Sequence, residues 1–159
     1  MSPRYASETS VSAEQSCAEI ERTLARYGAD AFIYGYEGRR AAIKFRIAGR
    51  QVRFDMEMPD PASPAFTEYM RGSCRYRRAE SESRAKWEQA CRQLWRALAL
   101  VIKAKLEATA AGITTIEDEF LAHTLLADGR TVGETIRPQL EEHYRLGGPP
   151  GLMLEGPRT

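Results

Sequence analysis

Between residues 32 and 58 apolar side chains recur at every second position. Phe32, Tyr34 and Tyr36 form one run, Ala41, Ile43, Phe45 and Ile47 a second, and Val52, Phe54, Met56 and Met58 a third. Period two marks strands with one buried face. The runs are separated by Gly38-Arg39 and Gly49-Arg50, and glycine at the first position of a two-residue loop predicts a type II′ hairpin. Taken literally, the turns pair Tyr36 with Ala41, Tyr34 with Ile43 and Phe32 with Phe45. They also pair Ile47 with Val52, Phe45 with Phe54 and Ile43 with Met56. Every apolar residue then shares one face, and a slip of one residue would destroy that agreement. The polar face of this antiparallel meander would read Ile33, Lys44, Asp55 in one row and Ala31, Arg46, Arg53 in the next. Like charges facing across strands repel, so Arg46 opposite Arg53 calls for an anion nearby, either a carboxylate or a ligand.

Helical spacing flanks the strands. Cys17, Ile20, Leu24 and Tyr27 recur at intervals of three and four, which predicts a helix over 13–27 with Ser12 and Gln15 as a capping box and Gly28 as its stop. A longer stripe of Trp87, Cys91, Leu94, Trp95, Leu98, Val101, Ile102 and Leu106 predicts a helix over 83–111, lying on the apolar face of the sheet and ended by Gly112. Thr115 with Asp118 opens a shorter helix over 116–126, and Asp128-Gly129 makes a turn. Thr131 with Glu134 is a capping box for a last helix to about 146, with Val132, Ile136, Leu140 and Tyr144 as its buried stripe and Pro138 as a bend. The expected fold class is α+β: an N-terminal helix, a three-stranded meander, a long helix packed on the sheet, and two shorter C-terminal helices. A single domain is expected over 13–147. Residues 1–12 are expected to be disordered, 59–82 to form a basic loop or connector, and 148–159 a loose tail.

Composition narrows the classes. With 159 residues, 43% hydrophobic and 28% charged, the chain suits one globular domain. No apolar run reaches a membrane span, since Lys103 interrupts the best one, and the polar start through Gln15 lacks the apolar core of a signal peptide. Three cysteines without CxxC spacing speak against a disulfide framework or zinc site, and Cys91 reads as core. The expected location is therefore the cytoplasm. The net charge of +1 conceals a division. Residues 31–58 hold six basic and three acidic side chains, 71–86 six and two, and 113–159 four and eight.

From about Arg26 to Pro150 the chain resembles a family of small proteins encoded by bacteriophages and prophages. The resemblance is carried by Arg26-Tyr27-Gly28-Ala29-Asp30, Val52-Arg53-Phe54, the stretch 95–107, Glu119-Phe120-Leu121-Ala122-His123 and Asp128-Gly129-Arg130-Thr131-Val132-Gly133-Glu134. It implies a phage or mobile-element origin, with nucleic-acid handling or interference with a host protein as the working classes. It supplies no catalytic residues.

Catalytic patterns are missing: there is no GxSxG, no Walker A sequence, and no GxGxxG after a strand. Glu119 and His123, four apart, read as a surface pair on one helix rather than a metal site. Tyr34, Tyr36 and the tryptophans read as core. No cofactor is expected, and an enzyme less so than a binding protein. The signal that remains is arginine. Lys44, Arg46, Arg50 and Arg53 share the exposed sheet face, and Arg71, Arg75, Arg77, Arg78 and Arg84 lie in or beside the connector with Tyr76 among them. Guanidinium forks bind phosphate in two-pronged fashion and a tyrosine stacks on a base. The expected function is non-catalytic nucleic-acid binding, single- or double-stranded. The alternative is a self-assembling module that targets a host protein. The basic residues would then pair with the acidic C-terminal helices, within one chain or between copies.

Overall fold

The computed structural model describes residues 3–149, with side chains from Ala13 onward. The architecture is α+β, in the order expected. Helix α1 (Pro3–Arg26) precedes a meander of β1 (Ala31–Glu37), β2 (Arg40–Ile47) and β3 (Arg50–Glu57). After α2 (Pro64–Thr67) come two further strands, β4 (Glu68–Arg71) and β5 (Cys74–Arg77), and then the long α3 (Glu80–Ala110). The chain closes with α4 (Ile116–Glu119), a 3-10 turn (Leu121–His123) and α5 (Val132–Arg145). Helix α1 begins at Pro3 and runs through Ser12, so the region anticipated as disordered is helical from its third residue and Ser12 is not a cap. Of the anticipated tail, residues 150–159 lie outside the described residues.

The first hairpin has the expected register, with Tyr36 opposite Ala41 and Phe32 opposite Phe45, and Gly38 takes a φ of 62° in the turn. The second differs. Its loop is Ala48-Gly49, both left-handed at φ 50° and 73°, which is a type I′ turn in place of type II′ over Gly49-Arg50. Pairing is therefore Ile47 with Arg50, Phe45 with Val52, and Ile43 with Phe54, two residues from the expectation. A shift of two keeps every side chain on its face, so hydrophobic alternation cannot distinguish the registers. The polar rows become Ile33, Lys44, Arg53 and Ala31, Arg46, Gln51, and Lys44 takes the place opposite Arg53 that the sequence assigned to Arg46.

The core lies between the sheet and α1 with α3. Cys17, Ile20 and Leu24 of α1 meet Trp87, Cys91, Trp95, Leu98, Ile102 and Leu106 of α3 above Ile43, Phe45, Val52 and Phe54. Trp95 is wholly buried, with the Tyr34 and Tyr36 rings edge-on to it at 6.2 and 6.1 Å. Val101, assigned to the stripe, is exposed, and Ala99 is buried instead. The Trp87 indole N–H donates to the Pro59 carbonyl at 2.8 Å, tying the start of α3 to the end of the sheet. Burial pushes the Cys17 thiol up to about 12 and the Cys91 thiol up to about 11, so both pack as neutral hydrophobes.

The C-terminal part departs further. The Thr115 cap forms, its hydroxyl accepting from the Asp118 amide at 3.1 Å. The helix it opens stops at Glu119, because Phe120 turns into the core to meet Phe45 and Phe54 edge-on. Glu119 and His123 do not pair. The carboxylate of Glu119 receives Lys105 at 3.1 Å, and the His123 ring stacks on Phe54 at 3.9 Å. The capping box of Thr131 and Glu134 forms in full. Yet Ile136, Leu140 and Tyr144, expected as a buried stripe, are exposed, because α5 packs on the body only through its first turns and the 3-10 turn.

Candidate nucleic-acid interface

The segment anticipated as an irregular connector is an arm. Ser63 caps α2, with Pro64 at its first position, and Phe66 roots the base of the arm against the core. The chain then forms a ribbon that pairs Glu68 with Arg77, Tyr69 with Tyr76, Met70 with Arg75 and Arg71 with Cys74, closed by Gly72 at φ 63°. Every residue of β5 is exposed; β5 packs on β4, and β4 packs on α2. Alternation puts Tyr69, Arg71, Cys74 and Tyr76 on one face, and Glu68, Met70, Arg75 and Arg77 on the other.

Arg78 fixes the root of this arm. Its amide donates to the Thr67 carbonyl at 2.7 Å, its Nε to the Glu68 carbonyl at 3.1 Å, and its Nη1 to Glu82 at 2.6 Å, with the guanidinium 5.3 Å from the centre of the Tyr69 ring. Tyr69 and Tyr76 stack at 5.6 Å, and 46% of Tyr76 is exposed. Arg75 reaches Glu68 at 3.3 Å. Among the described residues no carboxylate pairs with Arg71 or Arg77. Arg84 lies apart on α3 and pairs with Glu88 at 3.2 Å.

The sheet arginines are arranged differently. Arg46 donates to Asp30 at 2.7 Å, and Arg50 lies 4.0 Å from Glu117. Arg53 is only 14% exposed and is bound on every side: Nε to Asp55 at 2.7 Å, Nη1 to the Gly129 carbonyl at 2.8 Å, and Nη2 to both oxygens of Glu134 at 2.9 Å. The anions that the basic face demanded are carboxylates of the same chain. Lys44 stays exposed without an ion pair among the described residues, in a shallow cleft of about 360 Å³ that it shares with Arg40, Glu37 and Asp55. The ten candidate residues thus fall into two places, the arm with its root and the sheet face, with Arg84 outside both. The ribbon itself escaped sequence reasoning, although Thr67 to Arg71 and Cys74 to Arg78 flanking Gly72-Ser73 carry a hairpin signal.

Among the described residues no three histidine, cysteine or acidic side chains converge to hold a metal ion, and no helix is long and apolar enough to cross a membrane. Compared with known proteins, the chain matches no family model, no curated protein and no solved structure.

Proposed function

We propose that this protein binds nucleic acid without catalysis, and that the β4–β5 arm is its contact surface. One observation carries the reading: an exposed two-stranded ribbon holds Arg71 on the face of a stacked tyrosine pair and Arg77 on the opposite face, neither with a carboxylate partner among the described residues. Between Glu68 and Arg78 four arginines stand against one glutamate. A two-stranded ribbon is narrow enough for the major groove, and an exposed tyrosine face accepts an unpaired base. The arginines supply phosphate contacts in either case. Arg53 and Arg78 serve the fold in this reading, because both are largely buried and multiply bonded. The role fits the phage or mobile-element origin that the resemblance implies. Fluorescence anisotropy of labelled single- and double-stranded oligonucleotides tests it. Replacing Arg71, Arg75 and Arg77 together with alanine abolishes binding if the arm is the surface; unchanged affinity overturns the assignment.

A second reading is favoured by α5. Ile136, Leu140 and Tyr144 on that helix, with Leu121 and Leu126 nearby in sequence, are exposed apolar residues of the kind that mark a contact with another protein. A module that engages a host protein through α5 would lose that partner on Leu140→Asp and keep its fold.

A further inference from the structure

The two edges of the main sheet are treated unequally. Beyond β3 the chain returns to cover the edge: Thr124 bridges Val52, the Leu125 amide donates to the Gln51 carbonyl at 2.8 Å, and His123 lies on Phe54. Among the described residues no strand lies beyond β1, which is the first strand in the order. Proteins blunt open edges with lysine, proline, bulges or cover. The β1 sequence, Ala-Phe-Ile-Tyr-Gly-Tyr-Glu, has none of the first three, and its one charge is at the end. Ile33 is 65% exposed in the middle of it.

The hairpin fixes which groups point outward. A two-residue turn is closed by a hydrogen-bonded pair, here Glu37 with Arg40, so odd-numbered β1 residues bond to β2. Phe32 and Tyr34 then present N–H and C=O to the outside. Shallow clefts flank this edge on both sides. One lies against α1, about 410 Å³ between Glu14, Glu21 and Ile33, and the other lies on the polar face.

We propose that β1 pairs antiparallel with β1 of a second copy, about a two-fold axis at Tyr34, joining the two meanders into one six-stranded sheet. The occupant is argued from charge. This register sets Ile33 beside the partner's Gly35 and Ala31 beside the partner's Glu37. Arg46, next to Ala31, then faces the partner's Glu37 across a small side chain, and the row of Arg53 and Lys44 runs into the row that ends at the partner's Asp55. The basic end of each sheet meets the acidic end of the other, as an isologous contact requires of a self-complementary surface.

Gly35 gives a clean test. A Cβ built there meets nothing within 4 Å and its backbone is not left-handed, so the isolated chain accepts a side chain at this position. Sedimentation velocity of the full chain is expected to show a dimer, and Gly35→Lys is expected to raise its dissociation constant at least about tenfold by placing a lysine in line with the partner's Lys44. The circular dichroism spectrum should stay unchanged. Register is read by mixing an Ile33→Cys chain with a Gly35→Cys chain, both carrying Cys74→Ser. Opposed residues of that pair have Cα atoms about 4.5 Å apart, within disulfide reach, so the mixture crosslinks and neither chain alone does. A monomer at the highest soluble concentration overturns the proposal and leaves the edge to a strand of another protein. A dimer unmoved by Gly35→Lys, dissociated instead by Leu140→Asp, overturns it in favour of α5, as does a dimer that forms no mixed disulfide.

Discussion

Arg53 on β3 and Glu134 on α5 are 81 residues apart in the chain, yet one guanidinium nitrogen stands 2.9 Å from both carboxylate oxygens. The same carboxylate accepts the Thr131 amide at 2.7 Å and so completes the capping box of α5. One glutamate thereby serves a local motif and a long-range clamp. The clamp anchors a helix whose apolar stripe makes no contribution to the core.

Removing the clamp should loosen α5 before anything else. Arg53→Ala is expected to cost about 1–2 kcal/mol, since charged hydrogen bonds are lost at a site that water partly reaches at Glu134. Arg53→Lys should recover little, because one ammonium cannot meet Asp55, Gly129 and Glu134 together. Urea unfolding measures the cost, and hydrogen exchange should locate it in 131–145. Equal losses across the sheet would contradict a clamp.

Acid should destabilise the fold in two successive ranges. Burial first, and then the charge of Lys105, holds His123 below its ordinary value of 6.5, favouring the neutral ring in the folded chain. Its contribution is complete above that value and is lost as pH falls through the lowered folded one. The Thr131 amide first, and then Arg53, hold Glu134 below 4.5, and its contribution is lost in the same direction at lower pH. Thermal melts across this span should therefore decline twice, with Glu134→Gln flattening the lower step. A melting temperature constant from neutral pH down to 4.5 would refute the part assigned to His123.

Gly133 should resist replacement for a reason unrelated to dihedral angles. A Cβ there stands 2.8 Å from the Ala122 carbonyl oxygen, a backbone atom with little room to move. In an unhindered helix Gly→Ala gains about 0.5–1 kcal/mol. Here Gly133→Ala is expected to lose about 1–3 kcal/mol through overpacking. A stabilised variant would show that α5 lifts off the 3-10 turn easily.

Ala48 offers the opposite case. It occupies a left-handed φ of 50° in a type I′ turn followed by glycine. Asparagine tolerates that conformation better than alanine, so Ala48→Asn should stabilise by about 0.5–1 kcal/mol. A rise in melting temperature without a change in spectrum would confirm the turn. A fall would favour the type II′ register that Gly49-Arg50 suggests.

Binding by the arm should carry a salt signature. Each phosphate contact adds about −0.9 to the slope of log affinity against log salt on duplex DNA. Arg71→Ala and Arg77→Ala should each reduce the slope by about one contact, whereas Arg46→Ala, whose guanidinium is held by Asp30, should leave it unchanged. Equal effects at all three positions would spread the interface onto the sheet.

Much of the fold was legible because its signals are local. Alternation from Phe32 to Met58, the stripe from Trp87 to Leu106, and the caps at Thr115 and Thr131 each act within a turn or a strand pair, and each stands where the chain pattern placed it, save that Ala99 is buried in place of Val101. The arm was hidden by its composition, since arginine and serine around Gly72 read as loop, and strands without a buried face show no hydrophobic alternation. Of the candidate site, the arginines were visible as a charge cluster, but nothing local separates those that hold carboxylates from those that do not.

Side-chain periodicity thus decides what each segment is and which way it faces, because steric and solvation preferences repeat along the backbone. It counts residues across a turn only modulo two, so the choice between β2–β3 registers two residues apart was set by the packed state, where Phe45 meets Val52 and Arg53 reaches Glu134. The exposure of Ile136, Leu140 and Tyr144 was likewise decided in three dimensions. An amphipathic stripe states only that a helix has an apolar side. Whether that side finds a surface depends on where the rest of the chain has already placed its own.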